Sequence, residues 1–122
     1  MQVNDPDVVA EVRAAFDEYE AALVANDVDA LDEWFWNDDR VVRFAFGDVQ
    51  HGWDDISATR RALARQTPAR TIDELTITTF GRDTATVWGV FRLVENDAIV
   101  HQSQVWARVD GAWRVVAAHV SA

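Results

Sequence analysis

No cysteine and no lysine occur in this chain, and all eleven basic residues are arginine. Without thiols, disulfides, thiolate nucleophiles and cysteine-based zinc sites are excluded. Without lysine, Schiff-base chemistry is excluded as well, so a permanent cationic contact to a ligand must come from a guanidinium. Long apolar runs are missing: none approaches the roughly 20 residues needed to span a bilayer. Proline occurs only twice, and there is no repeat, low-complexity tract or linker, which predicts one compact domain over residues 1–122. The opening MQVNDPDVV has no basic stretch followed by an apolar one, so no secretory signal is expected and the cytoplasm is the expected compartment. Positive charge is scarce. With 21 acidic residues against 11 basic ones the net charge is -10, which argues against nucleic acid and anionic membrane as partners. The three histidines, at 51, 101 and 119, have no ligand spacing, and nothing in the sequence calls for a metal or another cofactor.

What is present is apolar and patterned, 49% of the chain including six tryptophans, enough for a sizeable core. Asn4-Asp5-Pro6 has the form of a helix start, and Val9, Val12, Phe16, Tyr19 and Leu23 follow at three-four spacing. Asn26-Asp27 ends that helix and can cap a second, DVDALDEWFW, with Leu31, Trp34 and Phe35 as its apolar stripe and Asp32 and Glu33 on its solvated side. In the strand RVVRFAF, alternation places Val42, Phe44 and Phe46 on one face and Val41, Arg43 and Ala45 on the other. A turn region from Gly47 to Gly52 leads to Asp54-Asp55 and a third helix through Ile56, Thr59, Arg60 and Leu63. After Pro68, segments near 70–80, 83–94, 98–109 and 112–120 are rich in Thr, Val, Ile and Trp, broken at Gly81-Arg82, Asn96-Asp97 and Asp110-Gly111. Helices first and a meander afterwards indicate an α+β domain with the helices packed on one sheet face.

Two-residue turns at Asn96-Asp97 and Asp110-Gly111 pair Gly89 with Gln104, Phe91 with Gln102, Trp106 with Val115, and Gln102 with His119. One face then collects Val87, Gly89, Phe91, Gln102, Gln104, Trp106, Trp113, Val115, Ala117 and His119. The other carries Trp88, Val90, Val105, Val116, Ala118 and Val120. Both faces are apolar. Helices can cover one, and a second copy of the sheet is the simplest cover for the other, which predicts a homodimer through the outer sheet face.

Gln102, Gln104 and His119 either satisfy one another and the backbone or converge on a ligand in an apolar cavity, with Gly89 opposite Gln104 leaving room for it. Arg43, in an interior-looking strand, must be paired, snorkel into water or await an anion. Tyr19 lies on the apolar stripe of the first helix, where a core tyrosine is the ordinary assignment; facing a cavity, its hydroxyl could donate a proton.

The stretches "YEAALVANDVDALDEWFWNDDRVVRFAFGD", "HGWDDI", "TTFGRDTATV" and "HQSQVWARVDGAWRVVAAHVS" resemble the AtzH-like family of the nuclear transport factor 2-like (SnoaL-like, cystatin-like) superfamily, over nearly the whole chain. That family includes the small decarboxylase of s-triazine breakdown and related oxalurate-catabolism proteins. The resemblance implies a cone-shaped fold and a cofactor-free decarboxylase of a ureido or carbamate-type carboxylate, with Tyr19 and Arg43 catalytic. On that reading Arg43 binds a carboxylate and Arg60 is a candidate for a second anionic group. Gln102, Gln104 and His119 hold the ureido group, Tyr19 supplies the proton, and Trp34, Phe44 and Trp106 form an apolar wall. Two departures stand out: Val100-His101 replaces the family's Gly-Arg before Gln102, and the segment after Ile56 reads Thr59-Arg60-Arg61 with the next arginine at Arg65. An acid-base isomerase or cyclase, requiring a buried carboxylate, remains open. So does a ligand-binding or accessory protein for an amidohydrolase partner.

Overall fold

The first two helices begin where a side chain caps them. In the computed structural model, which describes residues 1–63 and 67–122, α1 (Pro6–Ala25) starts with the Asp5 carboxylate accepting from the Asp7 amide at 3.0 Å. It ends at Asn26, whose left-handed backbone (φ 53°) directs its amide to the carbonyls of Ala22 and Leu23. Asp27 caps α2 (Val28–Trp34) in the same way. The third helix, α3 (Trp53–Leu63), opens earlier than Asp54-Asp55, directly after Gly52. Among the described residues no helix is long and apolar enough to cross a membrane.

The sheet has six strands in the order β2-β1-β6-β5-β4-β3. A short hairpin, β1 (Val42–Ala45) and β2 (Asp48–His51), turns through Phe46-Gly47, so most of the stretch expected as a turn region from Gly47 to Gly52 is a strand and Phe46 belongs to the turn; β1 lies parallel to the last strand. β3 (Arg70–Phe80), β4 (Thr84–Leu93), β5 (Ile99–Val109) and β6 (Ala112–Ser121) form the antiparallel meander. The fold is α+β, with the helices on the inner face of a curved sheet. There Val8, Val12 and Phe16 of α1, Phe35, Val87, Phe91, Trp106 and Val115 form one core cluster. A fully buried side chain of that size contributes about 2–3 kcal/mol.

Two registers differ from expectation. The β4–β5 loop spans four residues, closed by the Leu93 amide on the Ala98 carbonyl, so Gly89 pairs with Gln102, Val87 with Gln104 and Phe91 with Val100. A shift of two residues preserves facing. Between β5 and β6 the partner of Trp106 is Val115 but that of Val105 is Ala117, so Val116 is an inserted bulge residue. The insertion reverses every side chain beyond it: Ala118 and Val120 pair with Gln104 and Gln102 and face inward, while Ala117 and His119 face outward. The bulge lies where the residue after α2 is pinned to β6, through the Phe35–Val115 bridge and the Trp36 amide on the Val115 carbonyl.

Candidate active site

Tyr19 reaches the interior because Val8, Val12, Phe16 and Tyr19 share the buried stripe of α1. Its ring meets Phe16, Phe35 and Trp106 at centroid distances of 6.5, 6.2 and 5.9 Å, edge-on to the last. Burial pushes the phenol above its ordinary pKa, against the opposing pull of Arg43, Arg60 and Arg70 in decreasing order. A neutral hydroxyl thus lies within the field of three guanidinium groups.

Those arginines come from three elements, and their partners differ. Arg43 on β1 faces Gln50 across the hairpin, with Nη1 donating to Gln50 Oε1 at 3.1 Å. Gln50, 4% exposed, points inward from the edge strand. On α3, Arg60 stacks over Phe35 at 5.0 Å and pairs with Asp32 of α2. Asp32, 6% exposed, also accepts from Ser57 Oγ and Arg61 Nη2, both at 2.7 Å, while its main-chain carbonyl accepts from Trp53 Nε1 at 2.8 Å. Desolvation would raise the Asp32 pKa, but these hydrogen bonds and the Arg60 charge outweigh it and hold the carboxyl low. Arg70, at the start of β3, binds Glu20 through Nε and Nη2 at 2.9 and 2.7 Å and lies 4.0 Å over the Phe91 ring.

Opposite them, β5 presents Gln102 and Gln104, 4% and 2% exposed. Gln104 Oε1 accepts from Trp106 Nε1 at 3.0 Å, yet the Nε2 atoms of both glutamines are buried without a hydrogen-bond partner. An unmet buried donor costs about 1–3 kcal/mol, which a bound acceptor would recover. Trp34 closes this region against Trp106 at 5.8 Å. Tyr19, Arg43, Arg60, Gln102, Gln104, Trp34 and Trp106 therefore belong to the inner side of the sheet and its helical cover.

Three expectations need correction. His119 does not join this group: the β6 bulge turns it outward, exposed and beside Phe44 at 6.2 Å between rings. Phe44 is no cavity wall either. It pairs with His119 on the outer face, 41% exposed, because strand alternation that sends Arg43 inward must send Phe44 outward. Gly89 does not leave open space, since a Cβ built there would meet Phe91 Cε2 at 2.6 Å; the glycine accommodates the Phe91 ring. Two open clefts, of about 420 and 230 Å³, lie on the outer face around Trp88, Ser103 and His119.

Asp32 was expected on a solvated helix face and is a buried hub instead. Its position three residues before Phe35 and one after Leu31, within the helical apolar stripe, was the available signal. Gln50 could have been found by reading Asp48-Val49-Gln50-His51 as a strand opposite Arg43. Arg70 and Glu20 are fifty residues apart and had no sequence signal. The His101 departure falls on the outer face, where its strand partner is Val90, and Arg65 lies outside the described residues.

A family model described as AtzH-like matches residues 1–122. The chain belongs to the AtzH-like family. A cystatin-like fold protein from Burkholderia xenovorans LB400 is 44% identical, with a TM-score of 0.94 over 99% of this chain and 95% of that one. A protein of unknown function from the DUF3225 family of Pectobacterium atrosepticum is 42% identical, with a TM-score of 0.92 over 98% and 93%. An NTF2-like protein of unknown function from Pseudomonas putida KT2440, at 18% identity and TM-score 0.82 over 97% and 88%, shares the fold. No curated protein matches the chain. The AtzH-like sequence is thus mounted on the cystatin-like, NTF2-like fold, with Tyr19, Gln50, Gln102 and Gln104 buried on the inner side and His119 outside.

Proposed function

We propose that this AtzH-like protein is a cofactor-free decarboxylase acting on a ureido or carbamate-type N-carboxylate. The observation that carries the proposal is that Tyr19, within the field of Arg43, packs its ring on Trp106, which donates to Gln104, while the Nε2 atoms of Gln104 and of Gln102 on the same inner strand face are buried without partners. Arg43 binds the carboxylate by a charge-assisted fork, and the two amides donate to the ureido carbonyl. As the C–N bond breaks, its electron pair stays on nitrogen, CO2 departs, and the Tyr19 hydroxyl transfers its proton to that nitrogen. The resulting tyrosinate is stabilised by the arginines and reprotonated by water. Overall, one carbamate and one proton yield one amine and one CO2. The phenol is protonated at neutral pH; burial raises its pKa and weakens it as an acid, an effect that the charges of Arg43, Arg60 and Arg70 oppose.

An isomerase or cyclase would need a free buried carboxylate as base. Asp32 and Glu20, the acids engaging the interior arginines, are both committed to them, which favours decarboxylation. Carbon-13 NMR with a panel of ureido mono- and dicarboxylates tests the proposal. Bicarbonate formation above the spontaneous rate, lost in Arg43→Ala and Tyr19→Phe variants of normal stability, is the expected result. Turnover unaffected by either substitution would refute it. The occupied space beside Gly89 favours one other reading, a binding or accessory protein for an amidohydrolase; ligand binding without bicarbonate formation would select it.

A second copy of the chain is proposed to cover the outer sheet face, where Trp88 and Phe44 are 60% and 41% exposed. Light scattering should give twice the chain mass and about half that value for Trp88→Glu. A monomeric wild-type protein would exclude this arrangement.

A further inference from the structure

The three arginines around Tyr19 differ in one respect that bears on the substrate. Arg70 carries its counter-charge in Glu20, and Arg60 carries its own in Asp32. Arg61, the second arginine on Asp32, is half exposed and also bound to Asp29, so its charge is answered at the surface. Arg43 meets only the neutral amide oxygen of Gln50. Among the described residues it is the one arginine of this group without a carboxylate partner.

We infer that the interior selects a substrate with a single carboxylate, held by Arg43, and that Asp32 sets this limit by neutralising Arg60 and fixing its guanidinium as a positioned donor. The inference rests on the ureido-carboxylate reading above and narrows its substrate class. Asp32 is suited to the role because both its oxygens are occupied, by Arg60 on one side and by Ser57 and Arg61 on the other. Its carbonyl also ties α2 to Trp53 of α3, so the carboxylate cannot easily leave. A second carboxylate on a ligand would have to compete with Asp32 for Arg60 while being repelled by it. At an effective dielectric of about 20, one such charge over several ångströms changes affinity roughly tenfold or more. The remaining free groups, the amides of Gln102 and Gln104, are neutral donors suited to a carbonyl oxygen rather than a second charge.

The test measures dissociation constants of the full chain for N-carbamoylglycine, with one carboxylate, and N-carbamoylaspartate, with two, by titration calorimetry. Wild-type protein should prefer the monocarboxylate by roughly tenfold or more. Asp32→Asn should shift the ratio towards the dicarboxylate by a similar factor, whereas a merely structural role would weaken both ligands in parallel. A wild-type preference for the dicarboxylate, an unchanged ratio in the variant, or no binding of either ligand would overturn the inference. Should Asp32→Asn fail to fold, the wild-type preference stands as the measurement, together with loss of N-carbamoylglycine binding in Arg43→Gln; retained binding there refutes the assignment. Both probes carry their carboxylates on carbon rather than nitrogen, so the titration reads charge selection alone. Selective binding together with no bicarbonate release from an N-carboxylated urea, followed separately by carbon-13 NMR, would sink the decarboxylase reading and leave charge selection intact.

Discussion

Adding a single methyl group at Gly89 should disturb the interior measurably. The Cβ introduced by Gly89→Ala would lie 2.6 Å from Phe91 Cε2 and 3.0 Å from Cζ, against an ordinary carbon contact of about 3.5 Å or more. Phe91 is fully buried and its ring carries the Arg70 guanidinium at 4.0 Å, so it cannot swing away without displacing the Arg70–Glu20 pair. Overpacking of this kind costs about 1–3 kcal/mol. Alanine offsets up to about 1 kcal/mol of this by restricting the unfolded chain. A net loss of about 1–2 kcal/mol follows, a fall in Tm of roughly 3–10 °C for a domain of this size. Urea unfolding of Gly89→Ala, Phe91→Leu and the double variant would measure it. With the ring gone the added methyl has room, so the cycle should show a coupling of about 1 kcal/mol or more. The reasoning is refuted if Gly89→Ala is as stable as wild type, or if it loses equal stability in both backgrounds.

Tyr19 is the single tyrosine of the chain, so absorbance at tyrosinate wavelengths reads it alone. Burial raises its pKa, so titration should begin only above the ordinary value of about 10. The corresponding stability is fully present below pH 10 only in the sense that the neutral phenol costs nothing there; above about pH 10 the unfolded chain ionises first, so stability falls as pH rises towards the folded-state pKa. Titration of folded protein at or below pH 10 would contradict this. Asp32 behaves in the opposite sense: its depressed pKa contributes stability above about pH 4 that is lost as pH falls through the folded value. Asp32→Asn should cost about 3 kcal/mol at neutral pH by leaving Arg60 buried without its carboxylate, and the deficit should narrow on acidification below pH 4. A pH-independent deficit, read by urea unfolding, would argue against it. In the β1–β2 turn Phe46 has φ 50° ahead of Gly47 at 91°, a geometry suited to Asn-Gly. Phe46→Asn should therefore raise stability by about 0.5–1 kcal/mol, and thermal unfolding that shows no gain would mean the turn carries no strain.

Much of the molecule follows from local chemistry alone. The α1 stripe through Val12, Phe16 and Tyr19 and the four meander strands are set by spacing of 3.6 and 2, by caps at Asp5 and Asp27, and by turn residues such as Asp110-Gly111. Placement of Arg43 and Phe44 on opposite faces follows from the same alternation. These signals lie within a few residues of one another, so the sequence carries them whole.

Tertiary structure decided the rest, wherever an outcome depended on residues far apart in the chain. Val115-Val116-Ala117-Ala118 is uniformly apolar and has no local mark for an inserted residue, so only closure of β6 against β5 and the end of α2 fixes the bulge that turns His119 outward. Asp32 becomes a buried hub because α3 delivers Ser57, Arg60 and Arg61 to it, and Arg70 meets Glu20 across fifty residues. Local pattern determined most of the elements, though not β2, and which way most side chains point. The pairing of interior charges was decided by packing, because a charge is neutralised by what approaches it in space.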